Sequence, residues 1–353
     1  MASAGEDWVY FGTYTGKGGS QGIYRSKFDA ATGKLSPPEL AAEAVNPSFL
    51  AFSPEAKYLY AVSEVDGKEG GGVLAYRLNA KTGELTKLNE GKTGGSGPCH
   101  ISISPSAHYA TVANYGGGST AVFKLSADGT LGERIGFCQH KGKSTETPHG
   151  HSSFIDPTDH SLLTVDLGLD RIKMFTLDPV KGLLEETEAD ILMPAGTGPR
   201  HIAIAPDRKI AYVCGELNST VNVVELAGPG GKSKVLQTLS TLPEPVKGNS
   251  TAECILSPNG KFVYVSNRGH NSIAVFKVGA DRKLMAVGHI TGDITIPRNF
   301  NIDPSGKWML IASQNGDKVG VWELDEQTGL GKETGHTVKI SKPVCVKFVP
   351  VAK

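Results

Sequence analysis

Three arginines, three carboxylates and four histidines sit at matched places along this 353-residue chain. The arginines are Arg200, Arg268 and Arg298; the carboxylates are Asp166, Glu216 and Glu253; the histidines are His100, His149, His151 and His201. A guanidinium presents a planar fork of donors that fits a carboxylate or a phosphate. Imidazole and carboxylate side chains move protons near neutral pH. Together they point to a small anionic guest and to proton transfer beside it. His149 and His151 flank Gly150, which on a strand puts both rings on one side, but the sequence offers them no third ligand, so neither a metal nor another cofactor is expected. No Ser-His-Asp pattern with an elbow motif is present, which disfavours a covalent route and favours an activated water.

These residues are spaced by an internal repeat. Its copies begin at Asn46-Pro47, Gly97-Pro98, Thr147-Pro148, Gly198-Pro199, Asn249-Ser250, Ile296-Pro297 and Lys342-Pro343, about 46 to 52 residues apart, enough for four short strands and their turns. In the fifth copy, period-two alternation predicts strands over 252–256, 261–266, 272–278 and 283–288, broken by the Ser257-Pro258-Asn259-Gly260 turn. In an antiparallel meander, the start of the first strand and the end of the second emerge on the same side.

Aligned on the turn proline, the first-strand start reads Ser48, Cys99, His151, Arg200, Ala252 and Arg298. The next place reads Phe49, His100, Ser152, His201, Glu253 and Asn299. The second strand ends in Ser63, Asn114, Asp166, Gly215, Asn267 and Ser313, followed by Glu64, Tyr115, Leu167, Glu216, Arg268 and Gln314. The strand interiors stay apolar while these places collect charge, the pattern of a binding mouth. His100, Asn114, His149, Asp166, His201, Glu253, Asn267 and Arg298 are therefore expected to contact substrate. Asn114, Asp166 and Asn267 also suit the capping of turns, and His100 and His201 suit backbone bonds at a strand start.

The last copy stops after one strand, 344–349, and residues 8–14 and 22–28 supply its second and third. The expected fold is all-β: a seven-bladed β-propeller of four-stranded antiparallel blades, closed by the N- and C-terminal strands sharing one blade. That closure removes exposed edges. A single domain is expected over 8–350, after a disordered tail over 1–7. Lys plus Arg equals Asp plus Glu at 36 each, so the formal net charge is zero. Neither a nucleic acid nor a membrane surface is the expected partner, and a monomer is expected. The N-terminus has no basic, apolar leader pattern, and five scattered cysteines lack metal or disulfide spacing. The expected setting is therefore reducing and cytoplasmic.

Pro148-His149-Gly150-His151-Ser152, Gly198-Pro199-Arg200-His201 and Tyr264-Val265-Ser266-Asn267-Arg268-Gly269, with Tyr10-Phe11-Gly12-Thr13-Tyr14-Thr15, resemble the lactonase family of seven-bladed propellers. That family includes cycloisomerase-type 6-phosphogluconolactonase and 3-carboxy-cis,cis-muconate lactonizing enzyme, and the likeness runs from about Trp8 to Pro350. It implies catalytic roles for His151, Arg200, Glu216 and Arg268, which the repeat register already puts on one side. The implied reaction is hydrolysis of a sugar-acid lactone, 6-phosphogluconolactone first, a step of the pentose phosphate pathway. Glu216 would be the base and His151 a proton shuttle, or the reverse. Lactonisation of a muconate at the same residues and a non-catalytic binding module are the alternatives.

Overall fold

The computed structural model describes residues 6–349, apart from 68–69, 179, 181–182, 188 and 228–231. Residues 1–5 of the expected tail and residue 350 lie outside these, and the first strand, Glu6–Thr13, begins two residues before the expected domain boundary. The described residues form strands, one short 3-10 turn at Gln314–Gly316 and no α-helix. The strands assemble into seven antiparallel sheets, the blades of a seven-bladed β-propeller. Close contacts divide the chain into two compact units, one built mainly on Leu192–Phe348 and the other on Leu40–Ile191. The first contains the blades over 199–240, 250–290 and 297–339, numbered 4, 5 and 6 in chain order, and the second those over 50–92, 98–139 and 150–192, numbered 1, 2 and 3.

Local chemistry explains why each blade starts as it does. The residue before the turn proline is Ser53, Ser104, Asp156, Ser257 or Asp303 in five blades. Its side-chain oxygen accepts the first N–H of the following strand, from Tyr58 (3.1 Å), Tyr109 (3.1 Å), Ser161 (3.3 Å), Phe262 (3.0 Å) and Trp308 (2.7 Å). This side-chain mimic of a backbone turn fixes the hairpin. Blade 4 has Ala205 there, and its turn is held by backbone bonds, Ala205 N to Ile210 O at 2.9 Å and Arg208 N to Ala205 O at 2.8 Å.

Alternation along each strand sends one set of side chains to each neighbouring blade. Tyr212, Val221 and Val223 of blade 4 pack with Val263, Val265 and Phe276 of blade 5. The opposite face of blade 5 packs Phe262, Tyr264, Ile273 and Val275 against Met309, Ile311 and Trp322 of blade 6. In the other unit, Val122 and Ile135 of blade 2 meet Leu162, Phe175 and Leu177 of blade 3. Buried tyrosines add a polar lock to these layers: Tyr60, Tyr212 and Tyr264 donate to the carbonyls of Gly129, Arg282 and Gly329 in the next blade, at 3.0, 3.2 and 3.0 Å.

The seventh blade is shared as expected. Its strands run in the order Lys34–Leu35, Gly22–Asp29, Glu6–Thr13 and Pro343–Phe348, so the last strand of the chain pairs with the first. Glu39–Glu43 also pairs with Gly22–Asp29. The fourth strand of this blade is thus split, and Pro37 and Pro38 fall in the gap, where neither offers an N–H.

Candidate active site

The pairing registers put the start of each first strand opposite the end of the second: Pro98 with Asn114, Gly150 with Asp166, Pro199 with Gly215, Thr251 with Asn267 and Pro297 with Ser313. Each of these first strands carries an extra residue directly after that pair. Cys99, His151 and Arg298 are the unpaired residues in blades 2, 3 and 6. In blade 4, Arg200 and His201 oppose one residue, and in blade 5 Ala252 and Glu253 do so. A β-bulge re-aims the side chain it carries. Five blades use it at the register that holds the candidate residues.

In the unit of blades 4 to 6 the bulges converge on one ion-pair cluster. Arg200 Nε lies 2.8 Å from Glu216 Oε2, and Arg268 NH2 lies 2.9 Å from Glu216 Oε1. Each guanidinium is held from behind by the blade 5 first strand: Arg200 NH1 donates to Ala252 O (2.7 Å) and Arg268 NH2 to Thr251 O (2.8 Å). Arg200 is buried, and Glu216 keeps 19% side-chain exposure, enough to meet solvent or a ligand. Burial works to raise the Glu216 carboxyl, but Arg200, Arg268 and Arg298 outweigh it and hold the group below its ordinary value. Burial and the Arg200 charge push Arg268 down to about 10, against the pull of Glu216, which leaves it cationic at neutral pH. Arg298 adds a third positive charge felt by both. The residue before its proline, Ile296, sits at φ +52, a backbone region costly for a β-branched side chain, and its N–H is fixed by Asn271 Oδ1 at 2.9 Å.

His201, Glu253 and Asn267 turn inward. His201 Nδ1 donates to Glu253 Oε1 (2.8 Å), and Asn299 Nδ2 donates to Glu253 Oε2. Asn267 donates to Thr241 O (2.9 Å) and accepts from Thr241 Oγ1 (2.8 Å), tying blade 5 to the residue that follows the Lys234–Ser240 strand.

Blades 2 and 3, in the other unit, carry the remaining candidates. His151 Nδ1 is 3.8 Å from Cys99 Sγ, and its ring meets the edge of Tyr115. His149 stacks on Tyr115, centroids 4.5 Å apart, and its Nδ1 is 3.0 Å from Tyr115 O. His100 packs between Phe49 and Phe154 and accepts Ser153 N at 3.3 Å. Asn114 is fully buried and donates to Ser119 Oγ at 3.1 Å. Asp166 accepts from His149 N and Leu169 N, both at 3.0 Å, and its other oxygen lies 2.6 Å from His140 Nδ1. His140 Nε2 in turn meets Thr120 Oγ1 at 2.8 Å. This hydroxyl–imidazole–carboxylate chain has the order of a nucleophilic triad, but all three residues are fully buried or nearly so, and it works as an internal tie. Among the described residues, no three His, Cys, Asp or Glu side chains are grouped to hold a metal ion.

One polar group was not among the sequence candidates. Tyr14 directly follows the Glu6–Thr13 strand, the register place of Glu64 and Glu216 in their blades. Its hydroxyl lies 3.0 Å from both Glu64 carboxylate oxygens, and Ser48 Oγ donates to the same carboxylate. The signal was present: extending the alignment to the shared blade puts Tyr14 at the register of Glu64 and Glu216.

Residues 8–348 match the family described as lactonase, 7-bladed beta-propeller. The 6-phosphogluconolactonase of Bacillus subtilis is 37% identical over 346 residues, 96% of this chain and 97% of that one. That of Formosa agariphila is 30% identical over 91% of this chain and 93% of its own. The solved structure of a periplasmic gluconolactonase from Pseudomonas aeruginosa superposes with a TM-score of 0.91 at 31% identity, covering 98% of this chain and 100% of that one. A fold built of these blades, with the family match running along nearly all of it, leaves one assignment: the chain belongs to the lactonase family of seven-bladed β-propellers.

Proposed function

We propose that this lactonase hydrolyses 6-phosphogluconolactone to 6-phosphogluconate. The observation that carries the reading is the Arg200–Glu216–Arg268 cluster, backed by the charge of Arg298. Opening a six-membered lactone needs water at the ring carbonyl and a place for the negative charge that forms on its oxygen. A guanidinium held by backbone carbonyls and a carboxylate is already oriented for that charge, which is the condition under which such contacts lower a barrier by a few kcal/mol. One of the two paired arginines takes the oxyanion, and the other, with Arg298, takes the phosphate by charge-assisted hydrogen bonds. The names of the Bacillus and Formosa relatives support the phosphosugar as first substrate.

Glu216, held ionised between two arginines, fixes their geometry. Proton removal from water then falls to another group. The family resemblance, which implies a catalytic role for His151 beside Arg200, Glu216 and Arg268, gives that role to His151. The five cysteines, all free thiols, accord with a reducing, cytoplasmic setting for this reaction. Among the described residues no helix is long and apolar enough to cross a membrane.

The test is hydrolysis of freshly generated 6-phosphogluconolactone, with 6-phosphogluconate detected as it forms, for wild type, Arg200→Ala and His151→Asn. We expect wild type to exceed spontaneous opening and both variants to lose about 100-fold or more in kcat. A folded wild-type protein that adds nothing to the spontaneous rate would exclude this substrate.

A further inference from the structure

We propose that Glu253 is a positioning residue, a buried carboxylate that sets the spacing of three neighbouring first strands and so orients the arginine cluster. The inference rests on the reading of that cluster as an anion site. It concerns blades 4, 5 and 6 only.

Glu253 is the second of the two bulge residues of blade 5. Its Oε1 receives His201 Nδ1 (2.8 Å) and Cys254 N (3.0 Å), and its Oε2 receives Asn299 Nδ2. His201 is the residue after Arg200, and Asn299 is the residue after Arg298. One carboxylate therefore joins the two strands that carry those arginines to its own strand, each at the residue after the place of Arg200, Ala252 or Arg298. Its own strand supplies the acceptors behind the cluster, Ala252 O for Arg200 and Thr251 O for Arg268. Asn299 is fixed on its far side by Val346 N, which donates to Asn299 Oδ1 at 2.8 Å.

A carboxylate with 6% exposure is costly to bury unless something demands it. Burial works to raise its carboxyl and to lower the His201 imidazole, yet the contact with His201 holds the Glu253 carboxyl below its ordinary value. The equivalent places in the other unit carry no carboxylate: the Phe49 and His100 rings pack with centroids 4.4 Å apart, and Ser152 is a small buried residue. Those blades carry Ser48, Cys99 and His151 at the bulge register, where no arginine has to be held. Bracing by a hydrogen-bonded carboxylate thus coincides with the arginine-bearing strands.

Glu253→Gln keeps the size and still accepts from His201 and Cys254 N, but turns an NH2 toward the NH2 of Asn299. Asn299 cannot flip to relieve this without losing its bond from Val346. We expect a loss of about 10- to 100-fold in kcat/KM, the scale of a displacement of roughly 1 Å in a positioning group. The double variant Glu253→Gln/Asn299→Asp restores a donor–acceptor pair and is expected to recover most of that loss. In an Arg200→Ala background, Glu253→Gln is expected to cost less than about 3-fold, because the group it positions is gone. An unchanged kcat/KM, or the same loss with and without Arg200, would overturn the proposal.

Crystals of Glu253→Gln separate this from the substrate question. The Arg200–Glu216 and Arg200–Ala252 contacts should be displaced whether or not the phosphosugar is the substrate, and arginines left in place would sink the idea. If Glu253→Gln does not fold, Asn299→Ala, which withdraws one of the three donors, takes its place in the same comparisons.

Discussion

A carboxylate gripped by two guanidiniums titrates differently from one facing water, and Glu216 is such a group. Its folded-state pKa lies below the ordinary Glu value of about 4.3. The stability this contributes is fully present above that ordinary value and is lost as pH falls through the folded one. Melting curves below about pH 4.3 should therefore fall more steeply for wild type than for Glu216→Gln. Between pH 5 and 9 Glu216 does not titrate, so any acid limb of the rate profile in that range belongs to another group. Glu216→Gln is expected to lower kcat/KM by about 10- to 100-fold while leaving that limb where it is. A limb that vanished with the carboxylate would instead make Glu216 the base. This distinction was not legible in the sequence. Register showed that Arg200, Glu216 and Arg268 share a side of their blades, because proline-anchored repeats count residues well. It could not show that one carboxylate spans arginines from two different blades, since that depends on where long side chains meet across the gap. For His201 and Glu253 the same limit applied: the alternation marked them polar, and only the bulge reveals that they point into the strand-to-strand interior.

At the scale of the element, blade identity was written in the sequence and blade detail was not. Ser-Pro and Asp-Pro turns, a strand's alternation and the terminal half-copy were enough to predict the sheets and their closure, because each is a local rule with a local cause. Bulges escaped, since a single extra residue leaves the apolar alternation on either side of it intact. The tyrosine locks escaped because their acceptors lie in the next repeat, at a positive-φ turn residue that is a glycine in two cases and Arg282 in the third. Tyr264 and Gly329 make that contact testable. Tyr264→Phe removes one buried hydrogen bond and is expected to lower unfolding free energy by about 0.5–1.5 kcal/mol in urea titrations, with no change in activity. Gly329→Ala should cost more than the loss of the bond. Gly329 is held at φ +72, and a Cβ there would lie 2.6 Å from the Phe262 ring, so the turn must shift as well as strain. Equal effects from the two changes would mean the turn yields freely and the lock does little to fix it.

For the molecule as a whole, the decisive element is the last strand, Pro343–Phe348. Val344, Val346 and Phe348 are buried, and Phe348 meets Phe28 edge-on at 5.3 Å. Burying side chains of this kind stabilises by about 1.5–3 kcal/mol each, so the strand contributes an amount comparable with the roughly 5–15 kcal/mol that keeps a typical domain folded. Deleting residues 342–353 should therefore yield protein that is largely unfolded or associates through the exposed edge of Glu6–Thr13, read by light scattering after gel filtration. The strand also carries the backbone groups that hold Asn299 and Asn301, through Val346 N at 2.8 Å and Val346 O at 3.0 Å. Closure and site geometry are thus linked through Asn299 and Glu253. A circular permutant that begins at Pro343 and runs through a short turn into Glu6 separates the two effects. It restores the strand and makes covalent the connection that blades 1 to 6 already have between their first and second strands. If closure matters through the strand's contacts, the permutant should match wild type in both melting temperature and kcat/KM. A permutant that folds as well as wild type but has lost activity would show that the chain ends themselves serve the site, and that bracing through Asn299 does not account for what closure gives.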